Sequence, residues 1–232
     1  MKKVVLLILL LQTYSFSQNL EGMEGLLFIP SAEIHGDAKI TVGTNFLDKS
    51  VVSFGGYNRS AENYFLSLNF LPFVEASIRI TRLNGLPSIN NQAIGDRTPS
   101  IKVRVKEESE YFPSLAFGLH DIFTVFGGEK AVHNNALYGV ATKNLKLGSL
   151  ISNLSLTLGY GTDYLAAANH NFVGIFGGTS IHFFNLFDVI AEYDAIRFNT
   201  ALRTKLYNKI NLIIGFLDLK DVSGGISFSF VL

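Results

Sequence analysis

The sequence predicts an all-β protein, a transmembrane antiparallel up-and-down β-barrel of about 12–14 strands. Three observations carry that expectation. The first is strict alternation over residues 74–82. Val74, Ala76, Ile78 and Ile80 fall on one face and Glu75, Ser77, Arg79 and Thr81 on the other, because successive side chains of a strand point to opposite sides. A strand with one apolar and one charged face separates two environments, as a barrel wall separates lipid from a polar lumen. The second is composition: 48% of residues are hydrophobic and 16% charged, with 20 Phe and 9 Tyr, whereas a soluble domain carries about 25% charge. Beyond the N-terminus no continuous apolar run reaches the roughly 20 residues of a membrane helix. The third is the spacing of connections. Long polar stretches at 83–98, 122–134 and 163–170 alternate with shorter turns near 72, 108–112 and 184–185, and bacterial barrels put short turns on the periplasmic side and longer loops outside. Lys plus Arg equals Asp plus Glu at 19 each, so no nucleic-acid partner is indicated.

In chain order, Met1-Lys2-Lys3 and the apolar run after it form a charged n-region and a short h-region, with Ser15 and Ser17 in a cleavage zone. Residues 1–18 therefore read as a secretory signal peptide and 19–232 as the barrel domain. The chain has no Cys, so neither a disulfide framework nor a lipid-modified cleavage-site Cys is expected. Residues 25–31 contain Pro30, which points to an edge, a turn or a strand end. Strand-like segments follow at 38–46, 51–57, 63–71, 73–82, 99–107, 113–121, 135–143, 152–162, 171–183, 186–194, 197–206, 209–217 and 222–232. The third and fourth meet at a tight turn around Leu71 and Pro72. In 100–106, Ile101, Val103 and Val105 oppose Lys102, Arg104 and Lys106; in 197–206, Phe198, Leu202 and Leu206 oppose Arg197, Asn199, Arg203 and Lys205. Helical periodicity is absent, which argues against a parallel α/β sheet.

These segments are odd in number, while single-chain bacterial barrels have an even count with both ends periplasmic. Either 25–31 is also a strand, for about 14, or 51–57 is not a wall strand, for about 12. The linker at 144–151 is longer than the other inner turns. The last segment alternates again, with Ile226, Phe228, Phe230 and Leu232 on one face. It is similar to the C-terminal assembly signal of outer-membrane proteins, and a closing strand there removes the sheet's last open edge.

Several stretches resemble the YjbH family of outer-membrane proteins linked to exopolysaccharide or capsule production. They are Gly25-Leu26-Leu27-Phe28-Ile29-Pro30-Ser31-Ala32; residues 63–82 around Pro72-Phe73-Val74-Glu75-Ala76; and Asp96-Arg97-Thr98-Pro99-Ser100-Ile101-Lys102-Val103-Arg104. Pro113-Ser114-Leu115-Ala116-Phe117-Gly118-Leu119-His120-Asp121, residues 138–143 and Leu156-Thr157-Leu158-Gly159-Tyr160-Gly161 complete the series in family order. His120 stands where the family usually has Arg. Members of that family are longer, with further domains after this region. The resemblance implies a non-enzymatic envelope protein of the outer membrane of a diderm bacterium, without cofactor, whose partners are outer-membrane lipid, exopolysaccharide and other envelope polysaccharide-export proteins.

The inward charges are the main candidate site: Glu75, Arg79, Lys102, Arg104, Asp188, Glu192, Arg197, Arg203 and Lys205, with Lys106 and Asp194 on the same faces. One reading is a charged lumen that binds or conducts a polar polymer, since a low-dielectric wall focuses potential on a passing solute. The other is a filled barrel whose opposite charges satisfy one another. A small diffusion channel is the corresponding functional alternative, and a sealed structural or surface-binding barrel is another. Asp96, Arg97, His120 and Asp121 are outer-loop candidates, Asp96-Arg97 for contacting a saccharide or folding inward. A His-Asp pair also serves hydrolases, but neighbours in a strand face opposite ways and no motif places a Ser beside them. His170 and His182 lack metal-ligand spacing, so no metal site is expected. Tyr64, Tyr111, Phe112 and Tyr160 suit an interfacial aromatic girdle or sugar stacking.

Overall fold

The computed structural model describes residues 18–51, 53–54, 57–85, 94–122, 136–148, 150–162, 173–184 and 186–232. The signal-peptide segment, Gln18 apart, and most of the long connections lie outside the described residues. In chain order the strands are β1 (Lys39–Leu47), β2 (Ser53–Phe54), β3 (Tyr57–Asn58), β4 (Ala61–Leu71), β5 (Val74–Leu83), β6 (Ile94–Lys106) and β7 (Ser114–His120). They continue with β8 (Ala136–Lys146), β9 (Ile151–Thr162), β10 (Gly174–Phe183), β11 (Phe187–Tyr193), β12 (Phe198–Leu206), β13 (Ile210–Leu217) and β14 (Asp221–Val231). All but β2 and β3 close into one barrel of 12 antiparallel strands. From β4 to β14 each strand pairs with its neighbour in sequence, and β1 closes the ring by pairing β14 on one side and β4 on the other. Closure leaves no edge of the sheet unpaired.

The strand count resolves to the lower expectation. The 51–57 segment is not a wall strand. It contributes a two-residue pairing, Ser53↔Asn58 and Phe54↔Tyr57, too short to cross the wall. Residues 25–31 are not a wall strand either, because they lie inside the ring. The linker at 144–151 shrinks, since β8 runs to Lys146 and β9 begins at Ile151. One barrel end therefore carries the short connections 72–73, 107–113, 147–150, 184–186 and 207–209, and the other the connections 48–60, 84–93, 121–135 and 163–173 together with the tighter 194–197 and 218–220.

Alternation sets the two faces of the wall. In β5, Glu75, Ser77, Arg79 and Thr81 are buried while Ile78 and Ile80 are exposed. In β12, Asn199, Ala201 and Arg203 are buried and Phe198 and Leu202 exposed. The outer surface is consequently a belt of apolar side chains, among them Val42, Leu66, Ile101, Phe117, Leu156, Leu158, Ile214 and Phe228. The interior is not uniformly polar. Ala116, Ala136, Tyr138, Val140, Phe176, Ile190, Ile213 and Leu217 form an apolar cluster inside the ring together with Leu20, Leu26, Leu27, Phe28, Ile29 and Ala32. An eight-stranded barrel is about narrow enough to be filled by its own side chains. Twelve strands leave a wider bore, and here the N-terminal segment fills it.

Candidate functional site

Residues 18–35 build a plug. Asn19 organises its first turn: Oδ1 accepts from the backbone N–H groups of Glu21 (2.9 Å) and Met23 (3.0 Å), and Nδ2 donates to the Phe28 carbonyl at 2.8 Å. Bridges Gln18↔Glu24 and Gly25↔Pro30 hold the segment folded on itself, with Leu20 N donating to Leu27 O and Leu26 N to Ile29 O. Leu20, Met23, Leu26, Leu27, Phe28 and Ile29 are all buried, each contributing about 1.5–3 kcal/mol relative to exposure. The wall makes room for two of them. Gly178 and Gly215 face the plug, and an added Cβ would lie 2.7 Å from Leu26 Cδ2 and 2.5 Å from Leu27 Cδ2, respectively.

Wall charges hold this plug at its backbone as well as its side chains. Glu192 of β11 accepts the N–H groups of Leu27 (2.8 Å) and Phe28 (2.9 Å), with Ile29 N at 3.5 Å and Asn199 Nδ2 at 3.3 Å. A carboxylate beneath a turn thus satisfies backbone donors that no strand partner reaches. Arg203 donates to the carbonyls of Gly25 (2.7 Å) and Leu26 (3.4 Å) while its Nε donates to Asp188 at 2.9 Å. Asp188 in turn holds His182 Nδ1 at 2.6 Å.

Across the lumen, Glu75 accepts from the backbone N–H of Glu24 (2.8 Å) and pairs with Lys102 (2.8 Å), and Lys102 Nζ also donates to the Glu24 carbonyl at 3.0 Å. The Glu24 carboxylate takes Lys39 (2.8 Å), His35 Nδ1 (2.8 Å) and Asn69 Nδ2 (3.0 Å). Burial pushes the Glu24 carboxyl up, but Lys39, His35 and Lys102 outweigh it and hold the group well below the ordinary carboxylate range. Higher in the lumen Glu21 pairs with Arg79, and His120 Nε2 lies 3.4 Å from Glu21. The plug leaves through a polar strap in which Thr142 accepts from Ala32 N (2.9 Å) and Glu33 accepts from Ser114 (2.8 Å).

The structure places most of the inward candidates on the lumen face, with Arg104 and Arg197 at its rims and Lys106 outside it. Glu75, Arg79, Lys102, Asp188, Glu192 and Arg203 are buried there and touch the plug or one another. Arg104 sits at the short-turn rim, donating to Ile34 O at 3.2 Å and Pro72 O at 2.8 Å. Arg197 sits at the opposite rim, 3.5 Å from Asp194 and 6.0 Å above the Phe28 ring. Lys205 is half-buried, and Lys106 turns out to be exposed and lies 3.9 Å over the Phe112 ring.

The outer-loop candidates move. Asp96 and Arg97 lie within β6, because β6 begins earlier than its alternation shows. Arg97, in register with Ile80, is exposed on the outer face. His120 and Asp121 are 2% and 3% exposed, so neither belongs to a solvent-facing loop. His120 Nδ1 is 2.9 Å from Ser100 Oγ, which also accepts from the Asp121 N–H at 3.2 Å. Sequence reasoning missed this Ser, since only the β6–β7 pairing brings it near. All members of that Ser-His-Glu21 cluster are enclosed, and Arg79 already occupies the carboxylate, so the cluster anchors the plug.

The plug itself was the larger omission. Its signal lay in β8, where Ala136, Tyr138 and Val140 make the inward face apolar as well as the outward one, so that an apolar partner inside the ring is required.

A family model described as "Exopolysaccharide biosynthesis protein YbjH" matches residues 17–217 of the chain. That match spans the plug and every wall strand up to β13. No curated protein matches.

Proposed function

This chain belongs to the YjbH family, and from that premise we propose that it is an outer-membrane barrel acting without catalysis in exopolysaccharide export or assembly, its lumen closed at rest by residues 18–35. The observation that carries the closed state is the seating of the plug. Its turn rests on Glu192, its carbonyls on Arg203 and its Glu24 on Lys39. A wall whose inward charges are already engaged this way is not a free polyelectrolyte channel.

Membrane placement is supported by the apolar outer belt and by aromatic side chains near both ends. Tyr111 and Tyr207 stand at the short-turn end, and Tyr64, Tyr160 and Phe198 toward the other, all exposed. Amphipathic rings favour the lipid interface in such barrels. With this orientation the short turns, the start of β1 and the end of β14 face the periplasm. Outer-membrane lipid, the polymer and other envelope export proteins are the partners this role requires. The filled lumen argues against a general diffusion porin. It also suits a second reading, a sealed scaffold whose work is done by its long connections.

Deleting the gene in its host and measuring surface exopolysaccharide tests the role. The expected result is loss of the polymer, restored by the wild-type gene; unchanged polymer would overturn it. In planar bilayers the refolded barrel is expected to be silent at rest. A variant lacking residues 18–35 is expected to conduct, whereas steady conductance of the intact protein would contradict the closed state.

A further inference from the structure

The first described residue of the chain lies inside the barrel. Gln18 is 2% exposed and forms an isolated bridge with Glu24. Its side-chain amide meets the wall through two long contacts, Nε2 to Ser67 Oγ at 3.4 Å and to Glu75 Oε1 at 3.5 Å. Among the described residues its Oε1 has no hydrogen-bond partner. A glutamine amide offers two donors and an acceptor, so the open side chain is held poorly here, whereas the amide of Asn19 beside it is satisfied at both ends.

The charges around Gln18 are already matched. Glu75 takes Lys102 (2.8 Å), the Glu24 N–H (2.8 Å) and the Ser67 hydroxyl (3.1 Å). Glu24 takes Lys39, and Glu21 takes Arg79. A further cation at residue 18 would therefore share a carboxylate that already holds one, and an unmatched buried charge is costly. Processing would create such a cation. Ser15-Phe16-Ser17 sets small residues three positions and one position before Gln18, the pattern of a signal-peptide cleavage site. Hydrolysis of the Ser17–Gln18 bond frees an α-amino group that is protonated at neutral pH.

We propose that residue 18 is the N-terminus of the mature chain and a modification site, closed to pyroglutamate. Water first cleaves the Ser17–Gln18 peptide bond. The freed α-amino nitrogen then attacks the side-chain Cδ, the Cδ–Nε2 bond breaks and ammonia leaves, so that a lactam ring forms with no change in oxidation state. The nitrogen lost is the one held only by the two long contacts. The ring carries no charge, so the plug begins without a cation to bury. Closure precedes docking, because the seated residue is out of reach of solvent. The mature chain then begins one residue earlier than the sequence pattern alone sets it. The proposal rests on the reading of the protein as exported to the outer membrane.

The test is intact-mass measurement and N-terminal sequencing of the protein purified from the envelope of its host. The expected mass is that of residues 18–232 less one ammonia. Direct Edman degradation is expected to give no sequence, and treatment of the unfolded chain with pyroglutamyl peptidase to release a sequence beginning Asn19-Leu20-Glu21. Gln18→Ala is expected to lose no ammonia and to be read from position 18 without that treatment. An open Gln18, a chain that starts at Asn19, or ammonia loss that persists in Gln18→Ala would overturn the proposal and leave export standing. Closure no greater than in a synthetic peptide of residues 18–28 carried through the same steps would overturn it too. A chain that keeps Met1 would remove the export reading and this site together.

Discussion

Strand β5 turns Glu75, Ser77 and Arg79 into the lumen, whereas β8 turns Ala136, Tyr138 and Val140 into it. Their outer faces are alike, with Ile78 and Ile80 on one and Leu137 on the other exposed. The difference divides labour within the bore. Charged wall residues give direction: Glu75, Lys102, Glu192 and Arg203 reach particular N–H and C=O groups of the plug and so fix where it sits. The apolar side packs Tyr138 against Phe176, ring centroids 6.4 Å apart, within the cluster that also contains Leu27 and Phe28. Burial there is non-directional and supplies the adhesion.

If that division holds, apolar truncation should loosen the plug most. Phe28→Ala, removing a fully buried ring, is expected to cost about 3–5 kcal/mol, read as a lowered midpoint of chemical unfolding and faster proteolysis of residues 18–35. An unchanged midpoint would remove the adhesive role from the apolar side. Glu192→Ala comes next, at about 1–3 kcal/mol, because it leaves the plug's turn donors unsatisfied. Its distinguishing outcome is a displaced plug in a barrel that remains closed, seen as faster hydrogen exchange at Leu27 and Phe28 with the wall strands unaffected.

Acid should act on the charged side alone. The carboxyl of Glu24 is held below its ordinary value of 4.5, so its contribution is fully present above that pH and is lost as pH falls through the lower, docked value. The part of the plug's hydrogen-exchange protection that Glu24 supplies, read as the difference between the wild type and Glu24→Gln, is therefore expected to shrink only below about pH 4.5. A difference that is already absent at pH 6 would contradict the ion web around Glu24. The smallest effect belongs to the rim. Lys143 and Glu108 pair at 2.8 Å with partly exposed side chains, and Lys143→Ala is expected to change stability by less than about 1 kcal/mol.

Much of the wall was legible because alternation is a local property. Residues 74–82 and 197–206 display both faces in the sequence, and the barrel class and strand order follow from them. The contents of the bore are not local. Residues 25–31 read as an edge or turn because Pro30 bars a central strand, yet what they pack against comes from Gly178, Gly215 and Glu192, far along the chain. Inward charges were visible on β5, β6, β11 and β12, but their partners are plug backbone groups that carry no side-chain signature. The same holds for Ser100 and His120, adjacent only through the β6–β7 ladder. The surplus strand at 51–57 was miscounted because its alternation is too short to distinguish a wall strand from a two-residue ladder.

The most direct test of the plugged lumen is a disulfide between plug and wall. The native chain has no Cys, so Leu27→Cys with Gly215→Cys introduces the sole thiols. A Cβ on residue 215 would lie 3.2 Å from Leu27 Cγ, the position that the sulfur of Leu27→Cys would take, and across a disulfide each Cβ stands about 3 Å from the partner's sulfur. Mild oxidation of the folded, heat-modifiable double variant is predicted to give near-complete intramolecular crosslinking, with little crosslinking of Leu27→Cys paired with Phe117→Cys on the outer wall. Free alkylation of both thiols in the Leu27→Cys, Gly215→Cys protein, with no crosslink, would mean that residues 18–35 do not occupy the lumen.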